Sequence, residues 1–131
     1  PAPHDAEYVD KLFCGLERLG PKVAAITGVH PSDKEIGIVV RDFSTGESFA
    51  AMAPALHGVF YGTGDIFASA FAALLVRGAG AGRALEAASA LVRESIERSF
   101  RRDTPRPWGV DFEGALPAYV RRVEAIFSPS T

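Results

Sequence analysis

The sequence predicts a mixed α/β fold with few strands, and three observations carry that prediction. Residues 8–19 repeat their apolar side chains at three- and four-residue spacing, which is the period of a helix. Residues 36–43 are rich in β-branched side chains and are turned back by Ser44-Thr45-Gly46-Glu47 into a second extended run. Residues 83–101 carry an apolar face and a charged face at helical spacing.

Asp5 is a suitable N-cap for a first helix reaching about Leu19, with Tyr8, Val9, Leu12, Phe13, Leu16 and Leu19 on one stripe. Gly20-Pro21 stops it, and Lys22 to Thr27 reads as a buried strand. The segment 28–35, GVHPSDKE, reads as a loop. Ile36 to Phe43 and Ser48 to Ala53 then form a hairpin, and 54–61 is irregular. An almost wholly apolar run from Ile66 to Val76 predicts a buried helix, and Gly78-Ala79-Gly80-Ala81-Gly82 a turn.

The next helix spans Arg83 to Arg101. Leu85, Ala88, Leu91, Val92, Ile96 and Phe100 line its apolar face, and Glu94/Arg98 and Glu97/Arg101 are spaced as ion pairs. A proline-rich loop follows, and Pro117 opens a last helix to about Phe127. No internal repeat and no second domain is evident, so residues 1–131 read as a single domain.

Bulk properties exclude several classes. A net charge of −2 and an isoelectric point near 5.9 argue against nucleic acid as a partner, because phosphate neutralisation needs a basic stripe. The densest basic patch, Arg98, Arg101, Arg102 and Arg106, is interrupted by Asp103 and two prolines and reads as a solvated loop. Cys14 is the lone cysteine, so no internal disulfide is available. The longest apolar run falls well short of the roughly 20 residues of a membrane helix. A soluble, cytoplasmic protein is the expectation. The chain opens Pro1-Ala2-Pro3-His4 without an initiator Met, as expected either of ordinary processing or of a piece of a longer protein.

The chemistry concentrates in Gly62-Thr63-Gly64-Asp65, directly before the apolar helix. Glycines let a backbone approach a ligand without a Cβ in the way, and a helix N-terminus offers free N–H groups and a positive dipole end to an anion. The amides of Gly62 to Asp65, with the Thr63 hydroxyl, can therefore cradle phosphate oxygens. The plainer reading is that Asp65 caps the helix and the glycines make the turn. Short Gly-x-Gly matches are common, so motif shape alone favours that reading. The buried helix behind the loop shifts the balance, because it places an electrostatic sink and a carboxylate base together.

Other signatures fail. No Walker-type phosphate loop is present, and Phe67 stands where a dinucleotide fingerprint needs its third glycine. Gly78, Gly80 and Gly82 lie between helices and read as a turn. His4, His30 and His57 are far apart in sequence, His57 reads as an exposed loop residue, and Cys14 reads as a core residue rather than a ligand.

The stretch 60-FYGTGDIFASAFAALL-75 resembles the signature of ribokinase-like small-molecule kinases. Gly-Thr-Gly-Asp followed by an aliphatic residue and Phe is most similar to pyridoxal (pyridoxine, pyridoxamine) kinases. Sugar kinases of the group usually carry Gly-Ala-Gly-Asp, and hydroxymethylpyrimidine kinases tend to have Cys where Asp65 stands. Leu19-Gly20-Pro21-Lys22-Val23 leading into Ile26-Thr27 is similar to the family's helix-to-strand entry, and helix 83–101 falls where the family packs a helix against adenine. The likeness covers most of the chain, which corresponds to the C-terminal, nucleotide-binding half of such a kinase.

The resemblance implies a three-layer α/β/α fold of which only that half is present. It implies that Asp65 is the general base acting on the substrate's primary hydroxyl, and that Gly62, Thr63 and Gly64 form the anion hole for ATP. Thr27, with Gly28 after it, matches a nucleotide contact at the strand end, although relatives often carry Ser at the second position. Leu56, Phe60 and Ile96 match apolar positions around the adenine, and Mg²⁺ would arrive with the nucleotide. No lysine stands just before the motif, where some bacterial relatives have one. A B6 vitamer is the implied substrate, the absent N-terminal half the implied partner, and a homodimer the implied assembly. A non-catalytic nucleotide-binding module, or a kinase of hydroxymethylpyrimidine or a sugar, is the alternative. A few strands taken from a larger sheet leave an unpaired edge, so these residues alone are expected to bind nucleotide weakly and not to turn over.

Overall fold

The computed structural model describes residues 2–56, 60–102 and 108–129. It bears out a mixed α/β chain, in two compact units: Pro1–His57 and Gly58–Thr131.

The first unit holds helix α1 (Ala6–Glu17) and three strands, β1 (Val23–Ser32), β2 (Glu35–Asp42) and β3 (Ser48–Pro54). Asp5 caps α1 as expected, its carboxylate accepting from the Tyr8 N–H at 2.8 Å. Gly20, at φ 87°, ends the segment after the helix. The sheet runs β1-β2-β3, antiparallel throughout, with Val23 opposite Asp42 and Val40 opposite Phe49. In the β2–β3 turn Gly46 takes φ 77° and donates its N–H to the Asp42 carbonyl at 2.8 Å. The Ser44 hydroxyl beside Asp42 holds that carboxyl below the usual carboxylate range.

Three expectations are corrected here. Residues 28–32 are strand, not loop. Gly28, at φ 68°, sits where the register shifts between Thr27 and Val29, so a bulge carries β1 onward instead of ending it. The extension is tied down by His4, whose N–H donates to the His30 carbonyl at 2.7 Å while its Nδ1 accepts from the His30 N–H at 3.1 Å. Pro31 is tolerated because β1 is an edge strand of this sheet. For the same reason Val23 to Ile26 are half-buried rather than buried. Cys14 is exposed, because Val9 and Phe13 supply the buried side of α1.

The core of this unit is Phe13, Val9 and Val29, ringed by Leu16, Ala24, Ile26, Val39 and Phe43. The Arg41 guanidinium lies 4.5 Å above the Phe13 ring and reaches the Asp10 carboxylate at 2.6 Å.

The second unit is helical: α2 (Thr63–Val76), α3 (Ala81–Phe100), a 3-10 turn (Glu113–Ala115) and α4 (Leu116–Phe127). Pro117 stands in the first turn of α4, where its missing N–H costs nothing. Buried Ala81, Ala84, Leu85, Ala88 and Leu91 give α3 a face narrow enough for close approach to α2. The Tyr119 hydroxyl of α4 donates to the Ala70 carbonyl of α2 at 3.0 Å, and burial pushes its phenol up. Arg122 binds Glu94 at 2.5 Å, so Glu94 is joined to α4 rather than to Arg98 as the spacing suggested.

The apolar run of α2 is not buried all round. Phe67, Ala70, Phe71 and Leu74 form one buried stripe, while Val76 is 88% exposed. One neighbouring layer covers one stripe of a helix and leaves the rest bare. No helix among the described residues is long and apolar enough to cross a membrane.

Candidate functional site

The mouth of α2 is made by Gly62. At φ 84° it occupies the left-handed region, which an L side chain adopts only at a cost, and it stands at the N-cap without a side chain to occupy the helix end. The first helical hydrogen bond runs from the Ile66 N–H to the Gly62 carbonyl at 3.0 Å. The N–H groups of Thr63, Gly64 and Asp65 precede it and have no acceptor within the helix. They point out of the helix end together with its positive dipole.

Asp65 is not the cap. It is the third residue of α2, exposed, and among the described residues its carboxylate makes no hydrogen bond or ion pair. The Thr63 hydroxyl donates to the Phe60 carbonyl at 3.2 Å, so in this state it braces the loop rather than facing outward. Gly64 is different from Gly62. A Cβ placed there meets nothing within 4 Å and its backbone is ordinary, so the fold gives no reason for a glycine inside the first turn.

The structure therefore brings Gly62, Thr63, Gly64 and Asp65 into one turn, with Phe60 beside it. The Phe60 ring meets Phe100 of α3 edge-on at 5.3 Å, and Ile96 lies one turn earlier on α3, half-buried. Phe100 is 56% exposed, so it is an aromatic neighbour of this mouth and not the core residue its period suggested. Thr27 and Gly28 lie exposed on β1, and Leu56 lies exposed just after β3, all in the first unit. His57 falls outside the described residues.

Sequence reasoning missed the carboxylate of Asp111. It is 7% exposed, receives Arg102 at 2.9 Å and has Arg98 at 3.8 Å. Those two arginines, read as a solvated patch, are thus held by a buried acid. Spacing offered no signal for this. A hint lies in Ser95 and Ser99, four apart on α3, where small hydroxyls on a helix face mark a buried polar contact.

An anion fits the α2 mouth, since free amides converge there and no side chain stands at Gly62 or Gly64. Among the described residues no group of three or more His, Cys, Asp or Glu is placed to hold a metal ion.

No protein-family model matches the chain, and no curated protein matches its sequence. Solved structures do match. A protein from Bacteroides thetaiotaomicron described as a phosphomethylpyrimidine kinase, in a form with pyridoxal, aligns over 92% of this chain at TM-score 0.80 and 23% identity. Pyridoxal kinase from Lactobacillus plantarum aligns over 79% at TM-score 0.63 and 30% identity. This chain has a ribokinase-like kinase fold. Pyridoxal kinase from Entamoeba histolytica shares it over 91% of the chain at TM-score 0.72 and 15% identity. The ribokinase-like fold is present in part: the chain spans 43%, 37% and 41% of the length of these three structures. The resemblance read from Phe60 to Leu75 is borne out by these neighbours, which are kinases of pyridoxal or a phosphomethylpyrimidine by name.

Proposed function

We propose that the chain is the nucleotide-binding part of an ATP-dependent kinase that phosphorylates the 5′-hydroxymethyl group of a B6 vitamer. The observation that carries this reading is the α2 mouth: three free amides, a glycine at position 64 that the fold does not need, and an exposed carboxylate in the same turn. Phosphoryl transfer needs positioning and charge stabilisation with little covalent chemistry from the protein, and this turn supplies both.

In this mechanism the amides of Thr63, Gly64 and Asp65 hold the phosphate oxygens of ATP. The Asp65 carboxylate takes the proton from the primary hydroxyl as its oxygen bonds to the γ-phosphorus and the bond to the β-phosphate oxygen breaks, releasing ADP. Mg²⁺ bound with the nucleotide supplies neutralising charge on the phosphates. By the same resemblance, Leu56, Phe60 and Ile96 match apolar positions around the adenine, Thr27 with Gly28 matches a further nucleotide contact, and most of the vitamin pocket belongs to chain beyond these residues.

The reading is tested with natural-length protein, ATP and pyridoxal. Formation of pyridoxal 5′-phosphate supports it. ATP binding without phosphorylation of any vitamer supports a non-catalytic nucleotide module instead. Phosphorylation of a hydroxymethylpyrimidine in preference to pyridoxal supports a hydroxymethylpyrimidine kinase, the alternative that the Bacteroides neighbour favours by its name.

Gly64→Ala separates cradle from turn. Alanine is better than glycine in a helix by up to about 1 kcal/mol, so stability is expected to hold or rise. A methyl group among the free amides blocks phosphate approach, and ATP affinity is expected to fall about tenfold, a loss of about 1.4 kcal/mol. Calorimetric titration with ATP, beside a melting curve, checks both. Unchanged affinity would show that phosphate does not bind at this turn.

A further inference from the structure

The mouth of α2 is not built by α2 alone. Phe60 is held on one side by the Thr63 hydroxyl and on the other by the Phe100 ring, in the last turn of α3. The Tyr61 carbonyl faces Gly109, where a Cβ would come within 3.6 Å of it. Gly109 is two residues ahead of Asp111, and Asp111 is fastened to the same last turn of α3.

That fastening is dense. The Asp111 N–H donates to the Ser99 hydroxyl at 2.8 Å, and the Ser99 hydroxyl donates to the Ser95 carbonyl at 2.8 Å. The Ser95 hydroxyl donates to the Leu91 carbonyl at 2.6 Å. The Asp111 carboxylate takes Arg102 at 2.9 Å, with the Arg98 guanidinium 3.8 Å away. Ser95 and Asp111 are the buried polar side chains among the described residues, and both belong to this one chain of bonds. The Arg98 guanidinium also lies flat on Gly114, where a Cβ would meet it at 2.0 Å.

A buried ion pair adds little net stability against a well-packed apolar substitute, and its best-attested use is to fix one geometry. We propose that Asp111 is a positioning residue for the α2 mouth. Through Ser99 and Arg102 it sets the last turn of α3 behind Phe60, and through Gly109 it sets the segment facing Tyr61. Those two supports hold Phe60 and Tyr61, the residues directly before Gly62, and keep Gly62 in the left-handed conformation that frees the first-turn amides. Asp111 touches no substrate. Its role in nucleotide binding rests on the phosphate reading of the mouth, while its role in holding the mouth does not.

The experiment is residue-resolved amide exchange on natural-length protein, with ATP titration alongside. The reporter is the Ile66 amide, whose acceptor is the Gly62 carbonyl. In Asp111→Asn, which removes a charge-assisted bond, Ile66 exchange is expected to rise about tenfold or more and ATP affinity to fall by a similar factor. Amides of Leu74 and Ala88, far along α2 and α3, are expected to keep their rates, and Asp111→Glu to restore part of the Ile66 protection. Ser99→Ala removes the acceptor for the Asp111 N–H and the donor to the Ser95 carbonyl but leaves the Asp111 carboxylate paired with Arg102, and is expected to shift Ile66 in the same direction by less. It carries the test if Asp111→Asn does not fold. Unchanged Ile66 exchange overturns the proposal, and so does equal acceleration at Ile66, Leu74 and Ala88, which marks a general loss of stability. If the unaltered protein binds no ATP, the phosphate reading fails, and the exchange pattern still decides the role of Asp111.

Discussion

Asp65→Asn is expected to lower turnover of the natural-length protein by about a hundred- to ten-thousand-fold, the usual worth of a positioned general base. Asparagine keeps the shape and a hydrogen-bonding oxygen but takes no proton at neutral pH. The carboxylate has no partner among the described residues, so the substitution breaks no internal contact. Its one structural contribution is a negative charge in the first turn of α2, worth about 0.3–1 kcal/mol against the dipole at an exposed position. ATP affinity is expected to stay level or improve, because a negative charge beside the phosphates is gone. The three readouts therefore move in different directions. If Asp65 served only the helix dipole, stability would drop slightly and turnover would follow the folded fraction. Parallel measurement of kcat, ATP Kd and melting temperature separates the cases, and near-normal turnover sinks the assignment of Asp65 as base.

What could be read from the sequence was what local chemistry decides. Asp5 at the start of α1, Ser44 to Glu47 between β2 and β3, and Pro117 at the head of α4 each act within a few residues, and each element stands where those residues put it. The four residues of the α2 mouth were readable for the same reason, since they share one turn. Residues 28–32 were not, because their strand character depends on a pairing with His4 across the fold and on a bulge that lets Gly28 be passed rather than obeyed.

The last turn of α3 shows the same boundary from the other side. Helical period placed Phe100 in the core, yet period only assigns a face. At a helix end that face can look onto a loop, and here it meets Phe60. The charges of Arg98 and Arg102 looked solvated beside prolines, and the acid that holds them stands nine residues or more further on. Period also overstated α2, where an apolar sequence on every side is matched by one buried stripe.

Phe13→Ala is expected to cost about 3–5 kcal/mol, the range for emptying an aromatic site in a packed core. Phe13 has no exposed surface, and Phe43 meets its ring edge-on at 6.3 Å. The loss exceeds the cavity alone, because Arg41 sits over that ring while bonding Asp10 on α1 and Ser48 on β3. Without the ring the guanidinium loses a cation–π contact worth about 0.5–2 kcal/mol and a surface to lie on. Cys14→Ala, one position away but exposed, is expected to stay within about 0.5 kcal/mol. Urea unfolding of the 131-residue chain gives the size of the effect, and a smaller loss than about 2 kcal/mol would mean that Phe13 is not the keystone of its cluster. Amide exchange on the same variant reads something more. If residues 1–131 open as the single domain expected from the sequence, the slowest amides of α3 accelerate by the same factor as those of β2. If Pro1–His57 and Gly58–Thr131 open separately, β2 accelerates alone and α3 keeps its rate.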